Sequence, residues 1–102
     1  MVAGKSPDFV ADVKLLSSEA NGRKTPLREG EWRTVLGVNG EYWSAMLKFE
    51  GEQAPGATFE VNVGLLVRDL ALPMFEVGKI FEVWEGGTKA WGCVKQIMGR
   101  SA

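Results

Sequence analysis

The side chains that could perform acid–base or nucleophilic chemistry are few and poorly spaced for it. The chain contains no histidine, so its hydroxyl groups lack the usual general base. Glu82 and Glu85 suggest a carboxylate pair, but at three positions apart on a strand they point to opposite faces of the sheet. Cys93, with Lys95 two residues away on the same strand face, is interpreted as a half-exposed or packed thiol without a catalytic role. We therefore expect no enzyme, no cofactor and no metal site.

The composition favours a single globular domain of a reducing compartment. The chain has 102 residues, of which 45% are hydrophobic and 25% charged, enough for one core. Its formal net charge of -1 disfavours tight autonomous binding of nucleic acid, because phosphate contacts supply most of that affinity. No apolar run approaches the roughly 20 residues that span a bilayer. We expect a cytoplasmic protein that does not contact the membrane.

The polar and apolar residues alternate with a period of two, which predicts strands with one buried face. The pattern is clearest in the segments 8–16 and 58–66. It places the following side chains in the core: Val61, Val63, Phe81 and Val83. Tight turns are predicted at three places: Asn39-Gly40, Pro55-Gly56 and Gly86-Gly87.

About six short antiparallel strands at this spacing indicate a barrel or a sandwich. Residues 7–98 are expected to form one domain, with a flexible N-terminal tail at 1–6, a C-terminal tail at 99–102 and a surface loop at 17–30. The segment around Pro73 is open to three interpretations: a continued strand, a bend or a short helical turn.

The order of several motifs suggests a family. "DFVADVKLLSSEANGRKTPL", "WRT", "APGATFEVNVGLL" and "FEVWEGGTKAWGCVKQI" follow one another, and their succession resembles the third, C-terminal domain of elongation factor Tu. The resemblance covers roughly residues 7 to 97. It implies an all-β fold, a closed six-stranded antiparallel Greek-key barrel. Because the chain has no G-x-x-x-x-G-K-[ST] phosphate loop, we expect it neither to bind nor to hydrolyse GTP.

The same resemblance implies two kinds of contact. The third domain of the elongation factor packs against a GTPase domain, and it touches the T-stem backbone of aminoacyl-tRNA partly through its Gly-Gly turn. The corresponding residues in this chain are Gly86 and Gly87.

The hairpin around that turn carries two tryptophans whose position needs an explanation. A two-residue turn at Gly86-Gly87 would pair Trp84 with Lys89 and Glu82 with Trp91. Phe81 and Val83 would then face the core, and both indoles would point outward as diagonal neighbours. Alternatively, the indoles cover the loop 17–30, or a different register turns the face around.

The favoured hypothesis is a non-catalytic binding module whose outward aromatic face docks a protein. The partner would be a second copy of the chain, a translation GTPase or a toxin-like protein. The predicted protein-contact residues are Trp84, Trp91, Glu82 and Lys89. The alternative is weak binding of tRNA or another structured RNA. Its predicted contact residues are Gly86, Gly87, Lys89, Arg23 and Lys24.

Overall fold

The computed structural model describes residues 7–17, 27–28 and 30–98. The predicted tails 1–6 and 99–102 lie outside the described residues, as does most of the loop 17–30 with Arg23 and Lys24. Within the described residues the chain forms six strands and one short α-helix. The strands are β1 (Phe9–Leu15), β2 (Gly30–Val38), β3 (Glu41–Phe49), β4 (Thr58–Leu65), β5 (Ile80–Trp84) and β6 (Thr88–Ile97). The helix α1 (Arg68–Ala71) is followed by a 3-10 turn (Leu72–Met74).

The strands close into an antiparallel barrel. Their order around the barrel is β1-β4-β3-β2-β5-β6, and β6 pairs with β1 to complete the ring. Three consecutive strands, β2 to β4, form a meander, and β1 lies beside β4, which is a Greek-key arrangement. The predicted all-β, closed six-stranded antiparallel Greek-key barrel is therefore confirmed.

The turn between β2 and β3 shows why this register forms. Asn39 and Gly40 have φ angles of 53° and 80°, and two central residues with positive φ fit a two-residue hairpin loop with the natural twist of the strands. The turn pairs Val38 with Glu41. The predicted hairpin at Asn39-Gly40 is confirmed, and it fixes which side chains of β2 and β3 face outward.

The alternating apolar residues fill the barrel interior as predicted. Val61, Val63, Phe81 and Val83 are each at most 1% exposed. Three rings in the core pack together, since the Phe81 centroid lies 6.0 Å from that of Phe9 and 5.8 Å from that of Phe75. Phe75 follows the 3-10 turn, so the helical connection contributes to the core.

The connection between β4 and β5 is the segment that the sequence left open. It contains α1 and then the 3-10 turn that includes Pro73, so the short helical interpretation is correct. Asp8 anchors it, because its carboxylate accepts a hydrogen bond from the Arg68 Nε at 2.6 Å and another from the Leu65 N–H at 2.7 Å. This carboxylate joins the start of β1, the end of β4 and the helix.

Candidate functional site

The β5–β6 hairpin keeps the predicted register over most of its length. Phe81 pairs with Gly92, and Glu82 pairs with Trp91. At the turn the prediction is wrong, because Trp84 pairs with Thr88, not with Lys89. The register shifts between Val83 and Trp84, which marks a β-bulge.

The cause of the shift is the length of the turn. Gly86 and Gly87 have φ angles of 70° and 150°, and the Glu85 N–H donates a hydrogen bond to the Gly87 carbonyl at 2.9 Å. The loop therefore uses three residues, 85–87, and not two. Lys89 becomes the additional residue of β6: it is half-buried, and its carbonyl accepts the Leu16 N–H at 3.0 Å.

Both tryptophans lie on the outer face of the barrel, as the alternation predicted. Trp84 is 40% exposed and Trp91 is 49% exposed, whereas Val83 and Ala90 between them are fully buried. Because Glu82 pairs with Trp91, Trp84 two residues further along β5 keeps the predicted diagonal position relative to Trp91. Among the described aromatic side chains no ring contact joins Trp84 to Trp91; the ring that Trp84 contacts is Tyr42, at 5.6 Å between centroids. On the other side of β5, Trp84 pairs with Val35 of β2, and its ring lies beside Tyr42 of β3.

Tyr42 is the residue of this surface that the sequence analysis did not identify. It pairs with Gly37 of β2, and Gly37 pairs on its other side with Glu82 of β5. A Cβ atom at Gly37 would lie 2.8 Å from both the Tyr42 Cε1 and the Glu82 Oε2. The missing side chain of Gly37 therefore lets the tyrosine ring and the carboxylate approach across β2. A glycine inside a strand often marks such a close approach. Gly37 was therefore the feature of the sequence from which this contact could have been predicted.

Glu82 forms hydrogen bonds to residues on two other strands of this surface. Its carboxylate accepts hydrogen bonds from the Thr88 hydroxyl, across the hairpin, and from the Tyr42 hydroxyl at 3.4 Å. We call the outward side chains of this region the aromatic face: Tyr42, Ile80, Glu82, Trp84 and Trp91. A shallow pocket of about 210 Å³ lies between Tyr42, Ile80 and Trp91.

Glu85 belongs to a different part of the barrel. Its Oε2 accepts a hydrogen bond of 2.7 Å from the indole Nε1 of Trp32, a core residue that is 5% exposed. Glu82 instead bonds to Thr88 and Tyr42 on the outer face. The two carboxylates therefore have different hydrogen-bond partners, and Glu85 lies in the turn after β5, not on the strand as the sequence analysis assumed.

The structure describes three of the five residues that were predicted to contact RNA. Gly86 and Gly87 lie in the turn, where Gly86 is exposed and Gly87 is half-buried, and the half-buried Lys89 follows two residues further along the chain. Arg23 and Lys24 lie outside the described residues. Over the described ranges, no group of three or more His, Cys, Asp or Glu side chains could hold a metal ion. No helix formed by the described residues is long and apolar enough to cross a membrane.

Comparison with known proteins adds no assignment. A search against models of known protein families and a search of curated proteins both found no match to this chain.

Proposed function

We propose that this protein is a non-catalytic binding module that docks a protein partner through the aromatic face. One observation carries the proposal. Three large aromatic side chains, Tyr42 of β3, Trp84 of β5 and Trp91 of β6, lie on the outer side of the barrel and are 55%, 40% and 49% exposed. Contiguous exposed apolar surface with a polar rim is typical of protein interaction sites, and tyrosine and tryptophan are enriched in their centres.

The arrangement also favours binding because it is already ordered. Tyr42 packs against Trp84 and hydrogen-bonds Glu82, which is itself bonded to Thr88. Side chains held in place before association lose little conformational entropy when the partner arrives. The pocket beside Ile80 and Trp91 gives the partner a recess for one apolar side chain.

The resemblance to the C-terminal barrel of elongation factor Tu supports a particular set of partners. That domain packs against a GTPase domain, and a barrel of the same kind would offer a surface suited to a translation GTPase. A second copy of the chain and a toxin-like protein that acts on the translation apparatus are the other partners that we propose.

The test is the double substitution Trp84→Ala with Trp91→Ala. Association with a purified translation GTPase, or with itself, should weaken at least about 30-fold, because truncating one interface tryptophan commonly costs about 2 kcal/mol or more. The variant should unfold at nearly the same urea concentration as the wild type, since both indoles are substantially exposed. Sedimentation velocity measures self-association, and calorimetry measures binding of the GTPase.

The matched control removes exposed apolar side chains elsewhere. Leu70 and Val77 are each 65% exposed in the connection between β4 and β5, so Leu70→Ala with Val77→Ala should leave association unchanged. If the tryptophan variant unfolds, or if it binds as well per folded molecule as the wild type, the proposed surface is wrong. Binding of a structured RNA that falls steeply with added salt would instead support the alternative of phosphate contacts.

A further inference from the structure

A groove adjoins the aromatic face but is lined by other residues. It has a volume of about 840 Å³, runs over the outer side of β2, β3 and β4 and ends beside α1. Cross-strand pairing aligns Arg33, Met46 and Gly64 in one row across it. Val35 lines the groove and pairs with Trp84, so the groove begins where the aromatic face ends.

The floor of the groove is apolar, and Gly64 contributes no side chain to it. Met46 and Val35 are half-buried there, and Leu66 at the end is 76% exposed. A Cβ atom added at Gly64 would meet no heavy atom within 4 Å. The space above Gly64 is therefore large enough for an apolar side chain brought by a ligand.

The rim of the groove carries an excess of positive charge. Its charged lining residues are Arg33, Lys48, Arg68 and Asp8, although the whole chain has a formal net charge of -1. Both oxygens of the Asp8 carboxylate already accept hydrogen bonds, from Arg68 and from the Leu65 N–H. Arg33 and Lys48 take part in no ion pair within the part of the chain that the structure describes.

We propose that this groove binds an acidic segment of a protein, with an aliphatic side chain over Gly64 and carboxylates at Arg33 and Lys48. Guanidinium groups bind carboxylates through two parallel hydrogen bonds, and the outer nitrogens of Arg68 extend the same rim. The lining residues that the structure describes include no aromatic ring on which a nucleic-acid base would stack. The aliphatic floor and the small number of cations fit a peptide better than a polyphosphate backbone. This site is separate from the aromatic face, and either one is testable without the other.

The experiment is a selection from a displayed library of random peptides against the intact chain, followed by fluorescence anisotropy with the selected peptides. Enriched peptides should combine glutamate or aspartate with leucine, isoleucine or valine. Arg33→Glu and Lys48→Glu should each weaken their binding at least about tenfold. Gly64→Phe should block it, since the new ring occupies the open floor without meeting other atoms at its Cβ.

Two matched variants serve as controls. Arg28→Glu makes the same charge reversal at an exposed arginine outside the groove. Thr58→Phe places the same ring on the outer face of β4, six residues from Gly64 and so roughly 20 Å away along the strand. Neither control should change peptide binding, and circular dichroism verifies that all five variants are folded.

Several results would overturn the proposal. These are the absence of any enriched sequence, enrichment of neutral or basic peptides, and binding that survives Gly64→Phe. Peptide binding that depends on Trp84 and Trp91, and not on Arg33, would place the peptide on the aromatic face and support the proposed function alone. An RNA oligonucleotide that binds more tightly than the peptides and is lost on Arg33→Glu would assign the groove to nucleic acid.

Discussion

Gly92 is a position where one added methyl group should have a large effect. It lies in β6 opposite Phe81, with its missing side chain directed into the barrel. A Cβ atom there would lie 2.9 Å from the Phe81 Cε2 and closer still to the Cζ and Cε1 atoms. Non-bonded carbons prefer separations of about 3.5–4.0 Å. The ring has little room to retreat because Phe9 and Phe75 pack against it.

The size of the effect follows from these contacts. Overpacking a rigid core destabilises by about 1–3 kcal/mol, and three ring atoms in conflict place Gly92→Ala at the upper end. One contribution opposes this destabilisation but is smaller. Replacing glycine by alanine stabilises by about 0.4–1 kcal/mol where the backbone accepts it, because the unfolded chain has fewer conformations to lose. A net loss of about 2–3 kcal/mol lowers the melting temperature by about 8–24 °C in a domain of this size.

Two other strand glycines provide controls for the same chemical change. Gly64→Ala should be neutral or slightly stabilising, because its Cβ meets nothing within 4 Å. Gly37→Ala should be intermediate, since the atoms that it meets belong to Tyr42 and Glu82 on the outer face, which have more room to shift than a ring in the core. Urea unfolding followed by circular dichroism ranks the three variants.

A double substitution tests the assigned cause. Phe81→Leu removes the ring atoms that conflict with the new methyl group, so it should destabilise the Gly92→Ala background less than it destabilises the wild type. The difference should be about 1 kcal/mol or more, in the range measured for residues in contact. If Gly92→Ala is as stable as Gly64→Ala, or if the two changes are additive, the inferred packing of Phe81 on Gly92 is wrong.

Two further predictions concern charged groups. Asp8→Asn should destabilise by about 1–3 kcal/mol in urea unfolding, because it weakens the charged hydrogen bonds from Arg68 and the Leu65 N–H; a change under about 0.5 kcal/mol would contradict the anchoring role. The pKa of Lys95 is raised above 10.5 by its hydrogen bond to Glu60 and by the nearby Asp12 carboxylate, so its stabilising contribution is complete below pH 10.5 and lost as the pH rises through the raised pKa. An NMR titration should show this pKa falling on Glu60→Gln; an unchanged value would rule out the pair.

The fold could be predicted because its determinants are local in the sequence. Alternation assigned Val61 and Val63 to the core, and Asn39-Gly40 set the register of β2 and β3 without any distant information. The expectation of a closed six-stranded Greek-key barrel came from a family resemblance and not from the pattern itself, and the strand order was not predicted. The helical connection around Pro73 stayed open because a short apolar stretch with proline fits several conformations.

The candidate site was predicted only in part because its assembly depends on distant pairings. The outward direction of Trp84 and Trp91 follows from alternation, and it was correct. The bulge at Trp84 depends on whether the turn takes two or three residues, which Gly86-Gly87 alone does not decide. Tyr42 reaches Trp84 across Gly37, and that contact requires the registers of β2 with both β3 and β5.

Closure of the barrel determines when the protein becomes able to fold. β1 lies between β4 and β6, and its pairings join Phe9 to Val63 on one side and to Ile97 on the other. A nascent chain can form the β2–β4 meander early, but the first strand has no complete set of neighbours until β6 has been synthesised. Contacts so distant in sequence require closure of a long loop before they contribute free energy, and they make folding slow, typically milliseconds to seconds. Until then the N–H and C=O groups along the edge of β1 that pairs with β6 remain unpaired, and an unpaired strand edge favours aggregation before the barrel closes.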